Sequence, residues 1–303
     1  MDDHHLVQGL LDSVHAGVYG GAAAESWNAP GAVPLLADDS FELCFPVQFG
    51  ATVAIDPRAD DQVAVRWANK LAEFQQVSLD ELTVGAAPTA PHAVVAALRE
   101  RGCGLGGVAI TVHTDVPHDV GAAAAVAIGS ATALAVRSVY ALEVADDDLV
   151  ELVAGALQVF GVAEATLGMV GASMLGSSDR AVVHDRRCGS LTFAPFDPDS
   201  ARQRILVVDT EIRGSRTGPG VEQDVAVAAA IGAGALGARA ISDGLGAPVV
   251  ALVPIERVRP VRAAVNREFL ARNWRQPRFL TTAQVRTAQR TSHERGSSAA
   301  VAR

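Results

Sequence analysis

The chain has 303 residues, of which 49% are hydrophobic and 19% are charged, so it is long enough for two ordinary domains or one two-lobed unit around a packed core. Its formal net charge is −9, which argues against a broad nucleic-acid surface, because phosphate binding needs clustered Lys and Arg. Gly, Asp or Arg interrupt the longest apolar runs, so the sequence predicts no membrane span.

The cysteines and the N-terminus indicate a compartment. Cys44, Cys103 and Cys188 are odd in number, lie far apart and have no spacing typical of a metal site, which favours a reducing environment. The first residues, MDDHHLVQGLL, are acidic and lack the basic region and the apolar core of a signal peptide. We therefore expect a cytoplasmic protein.

The first half of the chain mixes strand-like and helical patterns. The segment from 32 to 68 has apolar residues at short intervals and turn signals at ADDS and DPRADD, which predicts strands, with Thr52 to Ile55 and Gln62 to Trp67 as an antiparallel pair. The other predicted elements are a helix over 5–24, a helix over 92–101 that ends at Gly102, a strand over 107–117 and a helix over 122–144.

The second half continues the mixture, and no internal repeat is found. The predicted elements are a helix over 146–168 with acidic residues at its start, strands over 180–187, 191–196 and 204–212, a helix over 221–243, a buried strand over 247–254, a helix over 255–273 and a polar end from 286. Two lobes of strands and helices follow from this order, which is an α+β class.

One loop has the residue pattern of an anion-binding site. The stretch from Pro117 to Ala125, PHDVGAAAA, leads from a predicted strand through Gly121 into a predicted helix. A helix start offers free N–H groups and the positive end of a dipole to an anion. The other glycine-rich run, GCGLGG at 102–107, follows a helix and precedes a strand, which is the reverse of the dinucleotide-binding order.

Three segments in the order NAPGAVPLL, DVPHDVGAAAAVA and ARAISDGLGAPVVALVP, together with SMLGSSDRAVVHDRRCGSLTFAPFDP, resemble the galactokinase branch of the GHMP small-molecule kinases. The resemblance implies a ribosomal protein S5 domain 2-like N-terminal lobe, an α/β sandwich C-terminal lobe, and ATP, Mg²⁺ and a sugar in the cleft between them. Transferred to this chain, it predicts lobes over 1–175 and 176–288 and a disordered tail over 289–303.

The positions that perform chemistry in that family differ here. Ala32 stands where the family has an Arg after Ala-Pro-Gly, and Met169 stands where it has the catalytic Asp. In the phosphate loop, Pro117 and Gly121 match, but the loop continues into Ala122, Ala123 and Ala124. Ala123 to Ala125 replace three serines, Gly129 replaces an acidic metal ligand, and Asp119 adds a negative charge that opposes a triphosphate.

These replacements leave the backbone of a nucleotide loop without the side chains for Mg²⁺ chemistry. We therefore expect Pro117, Gly121 and Ala122 to Ala124 to form any remaining nucleotide contact, with ATP and Mg²⁺ binding in doubt. Asp38 and Asp39 occupy the sugar-binding region of the first motif, and Asp209 ends a predicted strand, so these three acids are the candidate hydroxyl binders.

Three hypotheses follow. The first is a pseudokinase-like binding or regulatory module for a small sugar or polyol, with no efficient kinase activity. The second is a divergent ATP-dependent sugar or cyclitol kinase that uses Asp38, Asp39, Asp119 or Asp209. The third is a structural role as a protein partner or homo-oligomer, because the family's long helical segment after the 204–212 strand is missing and leaves an open cleft.

Overall fold

The elements were observed in a computed structural model, which describes residues 3–70, 73–116, 122–210, 220–241, 248–282 and 287–291. The helices are α1 (Asp3–Tyr19), α2 (Ala90–Glu100), α3 (Ala123–Val139), α4 (Asp146–Phe160), α5 (Leu167–Leu175), α6 (Val221–Gly232) and α7 (Val258–Ala271). The strands are β1 (Glu25–Ala37), β2 (Phe41–Arg58), β3 (Gln62–Trp67), β4 (Phe74–Ser78), β5 (Gly107–Thr114), β6 (Arg180–Asp185), β7 (Ser190–Pro195), β8 (Gln203–Asp209), β9 (Gly237–Ala240), β10 (Val249–Pro254), β11 (Arg278–Thr282) and β12 (Gln289–Arg290).

The first sheet has the strand order β12-β1-β2-β5-β3-β4 and is built around the 18-residue β2. The second half of β2 pairs with β5, and its first half pairs with β6, which in turn pairs with β7. The predicted antiparallel pair between Thr52–Ile55 and Gln62–Trp67 is wrong, because β5 lies between β2 and β3 and pairs with β3 in parallel. The DPRADD turn by itself would place the two strands that it joins side by side. Instead β5, an almost fully buried apolar strand, occupies the position between β2 and β3.

Alternation along β2 separates the two faces of this sheet. Val53 and Ile55 belong to the main core with α2 to α5, whereas Ala54 between them packs against Leu11 of α1 on the opposite face. Helix α1 is held there by His15, whose buried Nδ1 lies 2.9 Å from the Thr111 hydroxyl oxygen. The helix predicted over 5–24 is thus present as α1, which ends earlier, at Tyr19, and covers the second face of the sheet.

The second sheet is antiparallel, in the order β11-β8-β10-β9. Leu206 and Val208 of β8 pack with α6 and α7, and the alternate residues Ile205 and Val207 join the main core. The two lobes therefore share a buried face.

Glycines shorten two of the predicted helices. The helix predicted over 221–243 ends at Gly232, and Gly234 has φ +103°, so residues 237–240 form strand β9 instead. The helix predicted over 146–168 likewise stops before Gly161, which has φ +110°, and the chain then starts α5. The helix predicted over 122–144 is also shorter, because α3 ends at Val139.

Two boundaries differ from the sequence-based division. Strands β6 and β7 belong to the first sheet, although the division assigned everything after residue 175 to the second lobe. The predicted disorder of the tail is wrong for residues 289–291, because β12 pairs with β1 and the Thr291 N–H donates to the Ser26 carbonyl oxygen at 2.8 Å. The rest of that tail lies outside the described residues. None of the described helices combines the length and the apolar character that a membrane span requires.

Candidate functional site

A cleft of 410 Å³ lies where the two sheets face each other. The first lobe contributes residues from β1, from the start of β2, from the N-termini of α3 and α5 and from the β6–β7 turn. The second lobe contributes residues from the end of β9 and from the segments that follow β9 and precede β10. The lining residues are Ala32, Val33, Pro34, Ala37, Glu42, Ala122, Glu164, Thr166, Met169, Arg186, Arg239, Ala240, Ile241 and Pro248. The wall is thus largely apolar, with two carboxylates, two guanidinium groups and one hydroxyl.

Three of the positions singled out in the sequence meet in this cleft. Ala32 comes from β1, Ala122 precedes the first turn of α3, and Met169 lies in the first turn of α5. The Thr166 hydroxyl oxygen accepts a hydrogen bond from the Met169 N–H at 3.2 Å and so caps α5. Distant segments of the sequence are brought together here, and Ala32 and Met169 present a methyl and a thioether group at the positions that the resemblance aligns with a charged Arg and Asp.

The start of α3 carries the predicted nucleotide contact. Pro117, Asp119 and Gly121 lie outside the described residues. Ala122 and Ala123 are buried, and no side chain of the described residues caps the helix, so the described part of this helix start offers backbone N–H groups to an anion.

Gly129, which the family resemblance aligns with an acidic metal ligand, lies on the side of α3 that faces α4. A Cβ at Gly129 would lie 3.1 Å from Leu157 Cδ1 and 3.3 Å from Val153 Cγ1. This position faces the apolar side of α4, so a carboxylate there would be buried in the core and directed away from the cleft.

The described residues hold no preformed cluster of ligands for Mg²⁺. This cation takes carboxylate, carbonyl and water oxygens in octahedral geometry. Within the described ranges there is no group of three or more His, Cys, Asp and Glu side chains that could hold a metal ion. The residues that end the nucleotide loop are alanines, whose methyl groups coordinate nothing.

The candidate hydroxyl binders from the sequence do not line the cleft. Asp38 is exposed in the β1–β2 turn, where its carboxylate accepts hydrogen bonds from the Phe41 N–H at 2.9 Å and the Ser40 N–H at 2.7 Å, which lower its pKa. Asp39 is exposed in the same turn. Asp209 is buried at the end of β8, opposite Arg278 of β11.

The polar residues of the cleft were missed by the sequence reasoning. Glu42 lies in β2 directly opposite His184 of β6, and its side chain is only 2% exposed. Glu42 Oε1 lies 3.7 Å from Arg186 Nη2, and Glu42 Oε2 lies 3.9 Å from His184 Nδ1. Both Oε2 and Nδ1 are buried without a hydrogen-bond partner. A signal was present, because Glu42 alternates with Cys44 and Pro46 on the buried face of β2.

The backbone of α5 presses directly on this carboxylate. A Cβ at Gly168 would lie 2.7 Å from Glu42 Oε2 and 3.1 Å from Cys44 Sγ. Burial and the negative charge of Glu42 raise the pKa of the Cys44 thiol, while the positive charges of Arg186 and Arg239 act to lower it. Glu42, Cys44 and the two arginines therefore form one electrostatic cluster at the cleft, which we call the Glu42 cluster.

In sequence, the chain is similar to a known galactokinase. No protein-family model matches the chain. A galactokinase of Streptomyces coelicolor is 28% identical over 219 residues, which are 70% of this chain and 57% of the relative. The chain thus spans a little over half the length of this curated relative.

Solved structures match over most of the chain. Lactococcus lactis galactokinase complexed with galactose superimposes with a TM-score of 0.82 at 15% identity, covering 93% of this chain and 99% of that one. Methanococcus jannaschii mevalonate kinase gives 0.66 at 13% identity, covering 88% and 99%. A homoserine kinase from Cytophaga hutchinsonii gives 0.59 at 15% identity, covering 88% and 97%. The fold of this chain is therefore the one shared by these small-molecule kinases.

Proposed function

We propose that this chain, which belongs to the galactokinase branch of the GHMP small-molecule kinases, binds a small hydroxylated ligand in its cleft and does not transfer phosphate by the family mechanism. The observation that carries the proposal is the meeting of Ala32, Ala122 and Met169 in one cleft that still has a buried carboxylate, Glu42, in its wall. Such a protein would act as a pseudokinase-like sensor or regulator.

The cost of the replacements supports the negative half of this proposal. Loss of a positioned acid–base group lowers a rate by about 10²–10⁴. Loss of a group that stabilises transition-state charge lowers it by about 10²–10³. These factors do not simply multiply, but here Met169 has no proton to accept or donate and Ala32 has no charge to offer. Positions 32 and 169 therefore offer neither the charge nor the base that the family mechanism uses there.

The positive half rests on groups that hold hydroxyls. A buried carboxylate accepts hydrogen bonds from ligand hydroxyls, and a site in which a buried oxygen, here Glu42 Oε2, has no hydrogen-bond partner discriminates strongly for ligands that supply one. Glu42 provides that group, and Glu164 and Thr166 add further oxygen atoms on the α5 side of the cleft. The apolar remainder, which includes Val33 and Ile241, suits the carbon face of a sugar or polyol ring.

A thermal-shift titration with neutral sugars, polyols, sugar phosphates and sugar acids tests the binding. A ligand that binds the native state raises the melting temperature by mass action. We expect at least one of them, with galactose as the first probe, to give a saturable rise that Glu42→Gln removes. Asp39→Asn is the matched control, because Asp39 is an exposed acid outside the cleft, and it should leave the rise unchanged. No response to the whole panel would contradict the proposal.

A second candidate is a divergent ATP-dependent sugar or cyclitol kinase. The observation that favours it is the presence of two carboxylates, Glu42 and Glu164, in the same cleft, because a carboxylate near an acceptor hydroxyl can serve as its base. The matching kinases make ATP the donor to test. Under this alternative, ATP-dependent turnover would be measurable and would fall sharply in Glu42→Gln or Glu164→Gln. The cytoplasmic location and a protein or homo-oligomeric partner stay predictions.

A further inference from the structure

Two guanidinium groups, those of Arg186 and Arg239, line the cleft. Arg186 comes from the turn after β6, and Arg239 comes from β9 of the other sheet. They therefore approach the same space from opposite lobes. Guanidinium groups match the geometry of phosphate and carboxylate oxygens and bind them through two parallel hydrogen bonds.

Arg186 is held so that its charge faces the cleft. Its Nη1 donates to the Asp38 carbonyl oxygen at 3.0 Å, and its backbone N–H donates to the Ser40 carbonyl oxygen at 2.9 Å. Its side chain is 36% exposed, whereas the Glu42 carboxylate behind it is 2% exposed and lies 3.7 Å away. A ligand entering the cleft therefore meets the guanidinium group in front of the carboxylate.

Among the described residues, Arg239 makes fewer contacts with negative charges than Arg186 does. It is half-buried in the cleft wall and has no ion pair with a carboxylate in the part of the chain that the structure describes. Its positive charge reaches the Cys44 thiol, where it acts in the same direction as that of Arg186. The two guanidinium groups therefore belong to the same Glu42 cluster.

From this arrangement we infer that the ligand carries an anionic group beside its hydroxyls, as a sugar phosphate or a sugar acid does, and that Arg186 and Arg239 bind the anion. This inference rests on the proposed function, since it names the ligand class of the same cleft. Glu42 would accept ligand hydroxyls behind the anion, and Glu164 would do so on the α5 side. A neutral sugar would leave both guanidinium groups without an anionic partner in a partly desolvated site, which disfavours it.

The experiment is isothermal titration of the full chain without Mg²⁺ or nucleotide. The probes are galactose, galactose 1-phosphate, galacturonate and inorganic phosphate. We expect galactose 1-phosphate or galacturonate to bind at least about tenfold more tightly than galactose, and more tightly than inorganic phosphate. Arg186→Gln and Arg239→Gln should each weaken the anionic probe about tenfold or more, since hydrogen bonds to charged groups are strong contacts.

Arg187→Gln is the matched control, because Arg187 adjoins Arg186 in sequence but is 73% exposed and paired with Asp185. It should leave every affinity unchanged. Arg239→Lys keeps the positive charge but loses the two parallel hydrogen bonds of the guanidinium group. This variant is measured instead if Arg239→Gln does not fold.

The outcomes separate the two proposals. Binding of galactose with an affinity equal to that of the anionic probes would overturn this inference and leave the proposed function standing. Anionic probes that bind both arginine variants with unchanged affinity would also overturn it. So would an affinity for inorganic phosphate equal to that for galactose 1-phosphate or galacturonate. Absence of binding by all four probes would overturn the inference and the proposed function together.

Discussion

Replacement of Gly168 by Ala tests how tightly α5 packs on the Glu42 cluster. The new methyl carbon would lie 2.7 Å from Glu42 Oε2, 3.1 Å from Cys44 Sγ and 3.2 Å from His184 Cβ. Ordinary van der Waals contact begins near 3.4 Å, so the carboxylate or the helix must move by several tenths of an ångström. Glu42 is buried between the two strands and α5, so this movement has little free space.

The magnitude follows from two opposing contributions. An added methyl in a helix interior contributes about 1 kcal/mol of stability relative to Gly. Overpacking of a well-packed site costs about 1–3 kcal/mol. Gly155→Ala in α4 isolates the first contribution, because nothing lies within 4 Å of the place that its new methyl carbon would take. We therefore expect Gly168→Ala to be less stable than Gly155→Ala by about 1–3 kcal/mol.

The assay is thermal unfolding of both variants and the parent by circular dichroism, followed by titration with the tightest-binding sugar probe. Gly155→Ala should melt above the parent and keep its affinity. Gly168→Ala should melt below Gly155→Ala and bind the probe more weakly, because Glu42 has been displaced. Equal melting temperatures for the two variants, with equal affinities, would refute the packing described around Glu42.

Three other predictions concern titration, backbone packing and thiol access. His92 is buried, its ring nitrogens lie within hydrogen-bond distance of the Thr89 hydroxyl and the Val63 carbonyl oxygen, and burial lowers its pKa to about 4. Because the folded pKa is lowered from 6.5, protonation of His92 favours the unfolded state as pH falls, and the free energy of unfolding drops by about 2 kcal/mol between about pH 7.5 and 5. Urea unfolding of His92→Gln should show a pH dependence of the unfolding free energy that is shallower by that amount. The same pH dependence in the variant and the parent would contradict it. Gly107→Ala should destabilise by about 3 kcal/mol or more, since its methyl would overlap the Asp60 carbonyl oxygen; a melting temperature equal to that of the parent would count against the β5 position. Among the thiols, exposed Cys188 should react quickly with a disulfide reagent, and buried Cys44, whose pKa burial raises, should react only on unfolding; mass spectrometry of the labelled sites decides this.

The fold was largely accessible from the sequence because its signals were local. Apolar alternation and the ADDS turn identified β2 and the part of β1 from residue 32 onward, although β1 already begins at Glu25; the three consecutive strands after residue 180 are present as β6, β7 and β8. Pairing between distant segments was not accessible in the same way. Nothing local in the DPRADD turn indicates that β5, which follows β3 only after β4 and α2, inserts beside β2.

The site was accessible only where a family resemblance supplied positions. Ala32 and Met169 were identified as members of one cleft, but as replacements and not as functional groups. Of the four charged groups there, Glu42, Arg186 and Arg239 come from three separate strands or strand ends, and Glu164 lies before α5. Their convergence depends on the register between β2 and β6 and on the approach of the second sheet. The sequence reasoning chose the exposed Asp38 instead, whose carboxylate closes its own turn.

The central claim is that the cleft binds its ligand without transferring phosphate to it. The direct measurement is a single-turnover reaction in which the full chain, in excess over labelled ATP and supplied with Mg²⁺, is mixed with a saturating concentration of a sugar that has first been shown to bind. We expect no phosphorylated sugar above the reaction without protein. Formation of labelled sugar phosphate by the wild-type chain, and its loss in Glu42→Gln, would contradict the claim and identify an active kinase with a relocated base.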